Sequence, residues 1–428
     1  MRFTGGRAQF IDSIWSDLLS ATNEQDMVEI TWGNDTVMLG DGDDVLWDRD
    51  GNSAYGNDIW LPSNDLIYGG KGRDLIQAGR GADTIDGGDG WDTVDYRYSK
   101  AAIVVDLATG LGGGSSLSGS AGDVLRRIEQ IEGSRNSDTI KAGSGAHVLN
   151  GHDGNDTLHG GGEGSTLRGD AGNDTLFALA TGGTFDGGDG FDTLSWIKMG
   201  QGIRIGYSDR EAPGLLAAQA GSSIEEIIGT RFDDKIRIAG LGQGDERLQG
   251  MDGNDWLSTE HGNDTLYGGN GNDTLFGGGD DDLLTGDAGN DMLFGGTYDD
   301  RLFGGAGNDR LHAGQGADTM TGGSGADVFV FDNSNRYLGG ENNVITDFTR
   351  GLDRIDLSAM DAIHGLAGDQ AFALRLNFSR DAPTPGTLVV TQQADGVMLS
   401  GHVFDHGGVS FTIHLQGVVG FSAADIIL

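Results

Sequence analysis

Large apolar residues recur every nine positions along much of this chain. From Gly250 the sequence reads GMDGNDWLS, TEHGNDTLY, GGNGNDTLF, GGGDDDLLT, GDAGNDMLF, GGTYDDRLF, GGAGNDRLH, AGQGADTMT and GGSGADVFV, nine consecutive units ending at Val330. Each follows glycine, glycine, any residue, glycine, any residue, Asp, any residue, a large apolar residue and any residue. The glycines permit positive φ and so a tight turn. Residues seven to nine form a short strand, with the eighth (Leu257, Leu266, Leu275, Leu284, Leu293) facing inward. Two units make one coil of a right-handed parallel β-solenoid, with coils stacked about 4.8 Å apart. The predicted fold is all-β: a parallel β-roll in three blocks, closed at both ends.

The same pattern divides the chain. Residues 1–31 carry Phe10, Ile14 and Leu18, with Ile11, Trp15 and Leu19, at helical spacing, which predicts a short N-terminal helix capping the open end of the solenoid. Residues 32–95 form a first block with an irregular start. There WGNDTVMLGDGDDVLW reads as two repeats around Asp35 and Asp44, and the register slips before Asp58. Residues 138–195 form a second block and 234–331 a third. Between them lie spacers 96–137 and 196–233, which read as copies of one unit: RRIEQIEGSRNSDTI in the first answers SSIEEIIGTRFDDKI in the second. Alternating Ile103, Val105 and Leu107 predict a strand, and Ile128 and Ile131 are expected to rejoin the core. Residues 332–428 change to period two in GTLVVTQQ, VMLSGHVF and VSFTIHLQGV, predicting an antiparallel β cap.

Composition sharpens this picture. The 428 residues include 79 Gly but only 4 Pro, which excludes a collagen-like or proline-rich chain. Asp and Glu outnumber Lys and Arg by 66 to 27, a formal charge of −39 that repels nucleic acid. Such acidity with so much glycine otherwise means disorder, but the strict apolar period argues against it. A cation partner is the simplest way to discharge so many ordered carboxylates. There is no Cys, hence no disulfide and no thiolate metal site. The segment Met1 to Leu19 is broken by Asp12, Ser13, Ser16 and Asp17 and does not read as a secretory signal, and no apolar run approaches the roughly 20 residues of a membrane span.

Asp at position six sets a hard anionic oxygen beside turn carbonyls, and calcium suits such an all-oxygen set best. Units one coil apart are 18 residues apart, so register predicts the pairs. One edge of the third block carries Asp255, Asp273, Asp291, Asp309 and Asp327, and the other Asp264, Asp282, Asp300 and Asp318. The first block pairs Asp65 with Asp83 and Asp74 with Asp92. In the second block Asp138, Asp156, Asp174 and Asp192 run along one edge, while His147, Ser165 and Gly183 stand where Asp is expected on the other. A one-sided ladder is predicted there, and about twelve calcium sites in all. Two charges each reduce −39 to about −15. The bland alternative is that some of these Asp only hydrogen-bond their turns.

The nonapeptides resemble those of the RTX (repeats-in-toxin) family over roughly half of the chain. The resemblance implies calcium in the turns, held by Asp carboxylates and glycine-turn carbonyls of units one coil apart. The run VITDFTRGLDRIDLSAMDAI, with FVF before it, resembles the C-terminal module of the serralysin family, which closes the β-roll and carries an uncleaved signal for type I export by an ABC transporter. The ending Ala424-Asp425-Ile426-Ile427-Leu428 matches that family's acid followed by apolar residues, though a buried final strand explains it equally well. The resemblance implies a secreted or cell-surface protein. It would stay unfolded where calcium is scarce and fold outside the cell, where calcium is comparable to the roughly 10⁻⁴–10⁻³ M affinities of extracellular modules.

No catalytic constellation accompanies the repeats. No His is followed by Glu, so the His-Glu-x-x-His of the serralysin protease domain is missing. The Gly-x-Ser-x-Gly near-miss at Gly322–Ala326 is an ordinary repeat. His402, His406 and His414 would share one face if they lay on one strand, but ordinary strand residues explain them better. Two readings remain. One is a non-enzymatic structural, surface or adhesion protein with a cell-surface or polysaccharide partner. The other is an enzyme, or an accessory module of a secreted polysaccharide-modifying or hydrolytic enzyme.

Overall fold

Residues seven to nine of each nonapeptide are the strands, and they pair with residues one coil away. The computed structural model describes residues 9–11, 16–30, 33–48, 63–113, 122–180, 182–206, 223–238, 244–332, 341–360, 372–376, 386–402 and 411–428. They fold as an all-β parallel solenoid. The chain forms two compact units, Met1–Met199 with Ser222–Ile224, and Gly200–Gly221 with Glu225–Leu428.

In the second unit, alternate repeats supply two facing sheets. One runs through Arg247–Asp252, Thr265–Asn270, Leu283–Ala288, Arg301–Ala306 and Thr319–Ser324, and stacks Leu248, Leu266, Leu284, Leu302 and Met320 in register. The other runs through Trp256–Ser258, Thr274–Gly279, Met292–Thr297, Arg310–Gln315 and Val328–Val330, and stacks Leu257, Leu275, Leu293, Leu311 and Phe329. All ten of these eighth-position residues are fully buried. Period-two alternation sends the seventh and ninth residues outward, so the core is two columns of leucine. The first unit repeats the plan with Val37, Ile67 and Ile85 in one sheet and Val28, Leu46, Ile76 and Val94 in the other.

The predicted N-terminal helix is corrected. Gln9–Ile11 and Leu18–Ser20 are strands, paired in parallel with Met27–Ile30 and Thr36–Asp41. Position 10 stands opposite Val28, and Leu19 opposite Val37. Phe10, Leu19, Val28, Val37 and Leu46 are nine apart, so the repeat period outweighs the helical spacing and the solenoid already runs here. The slip near Asp58 falls outside the described residues. Its effect is visible on either side, where Thr36–Asp41 pairs directly with Leu66–Gly72 across a separation of 30 residues instead of 18.

The spacers build coil edges of their own. Val104–Asp106 pairs antiparallel with Leu111–Gly113 and parallel with Thr139–Lys141, while Ile103, Val105, Ile128 and Ile131 are buried. Leu107 is half-buried. In the second spacer Arg204–Ile205 pairs in parallel with Lys235–Arg237. The C-terminal cap contains the predicted antiparallel meander: Thr387–Gln392, Gly396–His402 and Phe411–Gln416. Its last strand joins the solenoid through Glu341–Ile345. His402 and His414 lie on different strands of it, and His406 lies outside the described residues. Ile426–Ile427 pairs with Arg354–Asp356, and Asp425 is buried, accepting bonds from the Ser422 amide and hydroxyl. Among the described residues no helix is long and apolar enough to cross a membrane.

Candidate metal centre

Each turn places three groups. Positions two and four take positive φ, as at Gly269 (+111°) and Gly271 (+135°). Met251 (+88°) and Tyr298 (+81°) adopt the same region without being glycine, so the coil imposes the turn even where the residue resists it. The Asp at position six then turns back over the glycine at position one. A Cβ on Gly286 would lie 2.4 Å from Asp291 Oδ2 and 2.6 Å from the Gly304 carbonyl oxygen of the next coil. The same cradle of carboxylate and carbonyl recurs at Gly250, Gly277, Gly295 and Gly304.

Thirteen of the seventeen predicted Asp lie over a position-one glycine in this way, and none of the seventeen is more than 2% exposed. Their Oδ1 atoms form the expected 18-residue ladders. The Asp255 amide donates to Asp273 Oδ1, Asp273 to Asp291, Asp291 to Asp309 and Asp309 to Asp327, at 2.8–3.0 Å. The opposite edge runs Asp264, Asp282, Asp300, Asp318. In the first block Asp65 pairs with Asp83 and Asp74 with Asp92. In the second, Asp138, Asp156, Asp174 and Asp192 follow one another. The facing edge there has no carboxylate: His147 Nδ1 lies 2.9 Å from the Gly145 carbonyl, and the Ser165 hydroxyl donates to Gly162.

The second oxygen is the informative one. Oδ2 is buried and accepts no hydrogen bond in Asp74, Asp92, Asp156, Asp174, Asp255, Asp273, Asp282, Asp291, Asp300, Asp309, Asp318 and Asp327. A buried carboxylate oxygen left in this way costs several kcal/mol unless it is neutralised or takes a cation. Burial accordingly pushes the carboxyls up: Asp74 to about 7, Asp156 to about 7, Asp255 and Asp282 to about 8, and Asp273, Asp291, Asp309 and Asp327 to about 6. Asp300 rises to about 9, through burial first and then the charges of Asp318 and Asp282. Among the described residues no three acidic or His side chains converge on one point. An ion here would therefore draw on backbone carbonyls as well as carboxylates, which is how calcium fills a coordination shell of six to eight oxygens.

The family model for the RTX calcium-binding nonapeptide repeat (4 copies) matches residues 30–52, 62–96, 132–164, 151–185, 159–194, 242–275, 262–293 and 294–329. The chain is built on RTX calcium-binding nonapeptide repeats. These RTX repeats make it a calcium-binding β-roll protein. No curated protein matched the chain by sequence. Among solved structures it is similar to the solution structure of the AlgE6R3 subunit from the Azotobacter vinelandii mannuronan C5-epimerase, at 25% identity, over 50% of this chain and 85% of that one. The TM-score is 0.19, so the likeness carries nothing about activity.

The RTX ladders extend beyond the residues expected to form them. Asp17 donates its amide to Asp35, and Asp35 to Asp65; Asp26 donates to Asp44, and Asp44 to Asp74. Asp17, Asp26, Asp35 and Asp44 are nine apart, a signal present in the sequence. Asp123, Asp234 and Asp353 continue the ladders through the spacers and into the cap. Two of the expected Asp differ from the rest. Asp65 Oδ2 accepts the Ser63 hydroxyl, and Asp138 has partners on both oxygens in Ser134.

Position five also proves specific. The Asn272 amide donates to Asn254 Oδ1, Asn290 to Asn272 and Asn308 to Asn290, counter to the Asp ladder. The last rungs, Ala82, Phe191, Ala317 and Ala326, only donate. An acceptor is thus dropped where no further coil needs one.

Proposed function

We propose that this chain is a secreted, non-enzymatic surface or adhesion protein whose β-roll folds when calcium enters its turns after export. One observation carries the reading: rows of buried Asp Oδ2 atoms without a hydrogen-bond partner, most of them facing a carbonyl-lined glycine cradle. The calcium-holding residues are Asp74, Asp83 and Asp92 in the first block, Asp156, Asp174 and Asp192 in the second, and Asp255, Asp264, Asp273, Asp282, Asp291, Asp300, Asp309, Asp318 and Asp327 in the third. Asp65 stands within a ladder, between Asp35 and Asp83, and Asp138 stands at the start of one; in both, internal donors take the place of an ion. Without calcium, so many buried carboxylates on a chain of charge −39 oppose folding. Many weak sites that bind only the folded chain drive it by mass action.

Export through a type I ABC transporter fits an unfolded, calcium-free precursor. Its signal is assigned to the serralysin-like C-terminal segment. A polysaccharide or cell-surface partner is the expected target. Calcium titration of the full chain, followed by circular dichroism, tests the reading. Loss of β structure in excess chelator and its return with calcium are expected. A chain fully folded in chelator would overturn it.

A further inference from the structure

The outer face of the first unit holds a groove of about 330 Å³ that touches a calcium ladder only at Asp74. Its walls are Arg73 and Trp91 from neighbouring turns and Arg97 from the start of the first spacer; its floor includes Thr93, Gln130 and Glu132. Arg73 is exposed and Trp91 half-exposed.

The polar groups are held in place by one another. The Trp91 indole N–H donates to Gln130 Oε1 at 3.3 Å, and Gln130 Nε2 donates to Glu132 Oε1 at 2.5 Å. Asn150 donates to the same oxygen at 2.8 Å, and His152 Nε2 lies 2.7 Å from Oε2. Burial pushes the Glu132 carboxyl up, but the bonds from His152, Gln130 and Asn150 outweigh it and hold Glu132 ionised below its ordinary range. Glu132 is thus engaged, as is the neighbouring Asp95, held by Arg97 Nε and Nη2 at 3.0 and 2.7 Å; the other acid of the lining, Asp74, is a calcium ligand. Among the described residues, the Arg73 side chain and the Arg97 Nη1 group make no hydrogen bond. The groove therefore offers an oriented indole and two guanidinium groups with donors to spare, on a chain that is otherwise strongly acidic.

Indole offers an apolar face to the C–H face of a sugar ring, and guanidinium matches a carboxylate in a two-pronged bond. We propose that this groove binds a hexuronate unit of an acidic polysaccharide, with Trp91 stacking on the ring and Arg73 and Arg97 taking its carboxylate. The proposal rests on the calcium reading in needing the roll formed and the Asp74 carboxylate neutralised by its ion.

Calorimetric titration of the full chain at saturating calcium, with circular dichroism on the same samples, separates the two. The probes are trigalacturonate and its methyl ester, which keeps the sugar and removes the charge. Trigalacturonate binds, while the ester, and the acid with R73Q or W91A, bind about tenfold more weakly at unchanged dichroism. Arg73 is exposed in a turn, so R73Q stays decisive if W91A disturbs the coil. Equal binding of the ester, undiminished binding by R73Q, or no binding by the fully folded wild-type chain overturns the proposal.

Discussion

Ser134 donates both its amide and its hydroxyl to the Asp138 carboxylate, at 2.5 Å to Oδ2 and 2.8 Å to Oδ1. Thr230 does the same to Asp234, at 2.6 and 2.9 Å. Thr22 donates twice to Asp26 Oδ2, and the Thr349 amide reaches Asp353 Oδ2 at 2.7 Å. In each pair the donor precedes the Asp by four residues, and each pair sits where a ladder starts or ends. The ladder therefore has two kinds of rung. Rungs such as Asp291 leave Oδ2 bare for a cation, and the terminal rungs close it with a hydroxyl residue.

Ser134→Ala separates the two. It removes a bond to a buried charged group, so denaturant unfolding at saturating calcium loses about 1.5–3 kcal/mol. The number of calcium ions bound, measured by equilibrium dialysis, stays the same. A fall in stoichiometry would show that Asp138 holds an ion after all.

Asp291→Asn gives the converse result. Asn keeps an Oδ1 acceptor for the Asp273 amide but puts an amide group where the bare Oδ2 stood. Dialysis should find about one ion fewer, and the calcium concentration for half-folding should rise. An unchanged stoichiometry would remove Asp291 from the ligand set.

The third block and its Asp edges were legible in the sequence because every unit there keeps nine residues. The N-terminal coils were hidden by a coincidence of spacings. Phe10, Ile14 and Leu18 satisfy a helical rule, while Phe10, Leu19 and Val28 satisfy the nine-residue rule, and only pairing between coils decides between them. The Asn ladder was hidden for another reason. Position five varies as Asn, Asp, Ala, Trp or Phe, and its meaning lies in which coil comes next. The hydroxyl–Asp pairs follow the same logic: Ser134 and Thr230 stand at matching points of the two spacers, but sequence alone does not show that they face the carboxylates.

The glycine cradle predicts a steep contrast between two small substitutions in the third block. Gly286→Ala forces a Cβ against Asp291 Oδ2 and the Gly304 carbonyl, so about 2–4 kcal/mol of stability is lost at saturating calcium. Ala306→Gly, at the permissive third position, costs about 1 kcal/mol or less, through unfolded-chain entropy alone. Denaturant unfolding of both variants checks this, and equal losses would mean that the cradle is not tight.

The raised carboxyls set a pH dependence whose sign reverses with calcium. Burial lifts Asp273, Asp291, Asp309 and Asp327 from 3.8 to about 6, and Asp255 and Asp282 to about 8. Between the unfolded and folded values the folded, calcium-free chain holds protons that the unfolded chain has released, so its stability falls as pH rises. His152, raised by Glu132, contributes in the same direction. Asp106, Asp356 and Asp425 are shifted down, so their contribution is lost only in more acidic solution. Without calcium the chain should therefore retain more β structure at about pH 5 than at about pH 8, where it is unfolded. Calcium binds the ionised carboxylates, so half-folding should need less calcium at about pH 8 than at about pH 6. Circular dichroism in excess chelator at about pH 5 and 8, and calcium titrations at about pH 6 and 8, measure the two slopes. Slopes of the same sign would mean that proton and ion do not compete for the same oxygens.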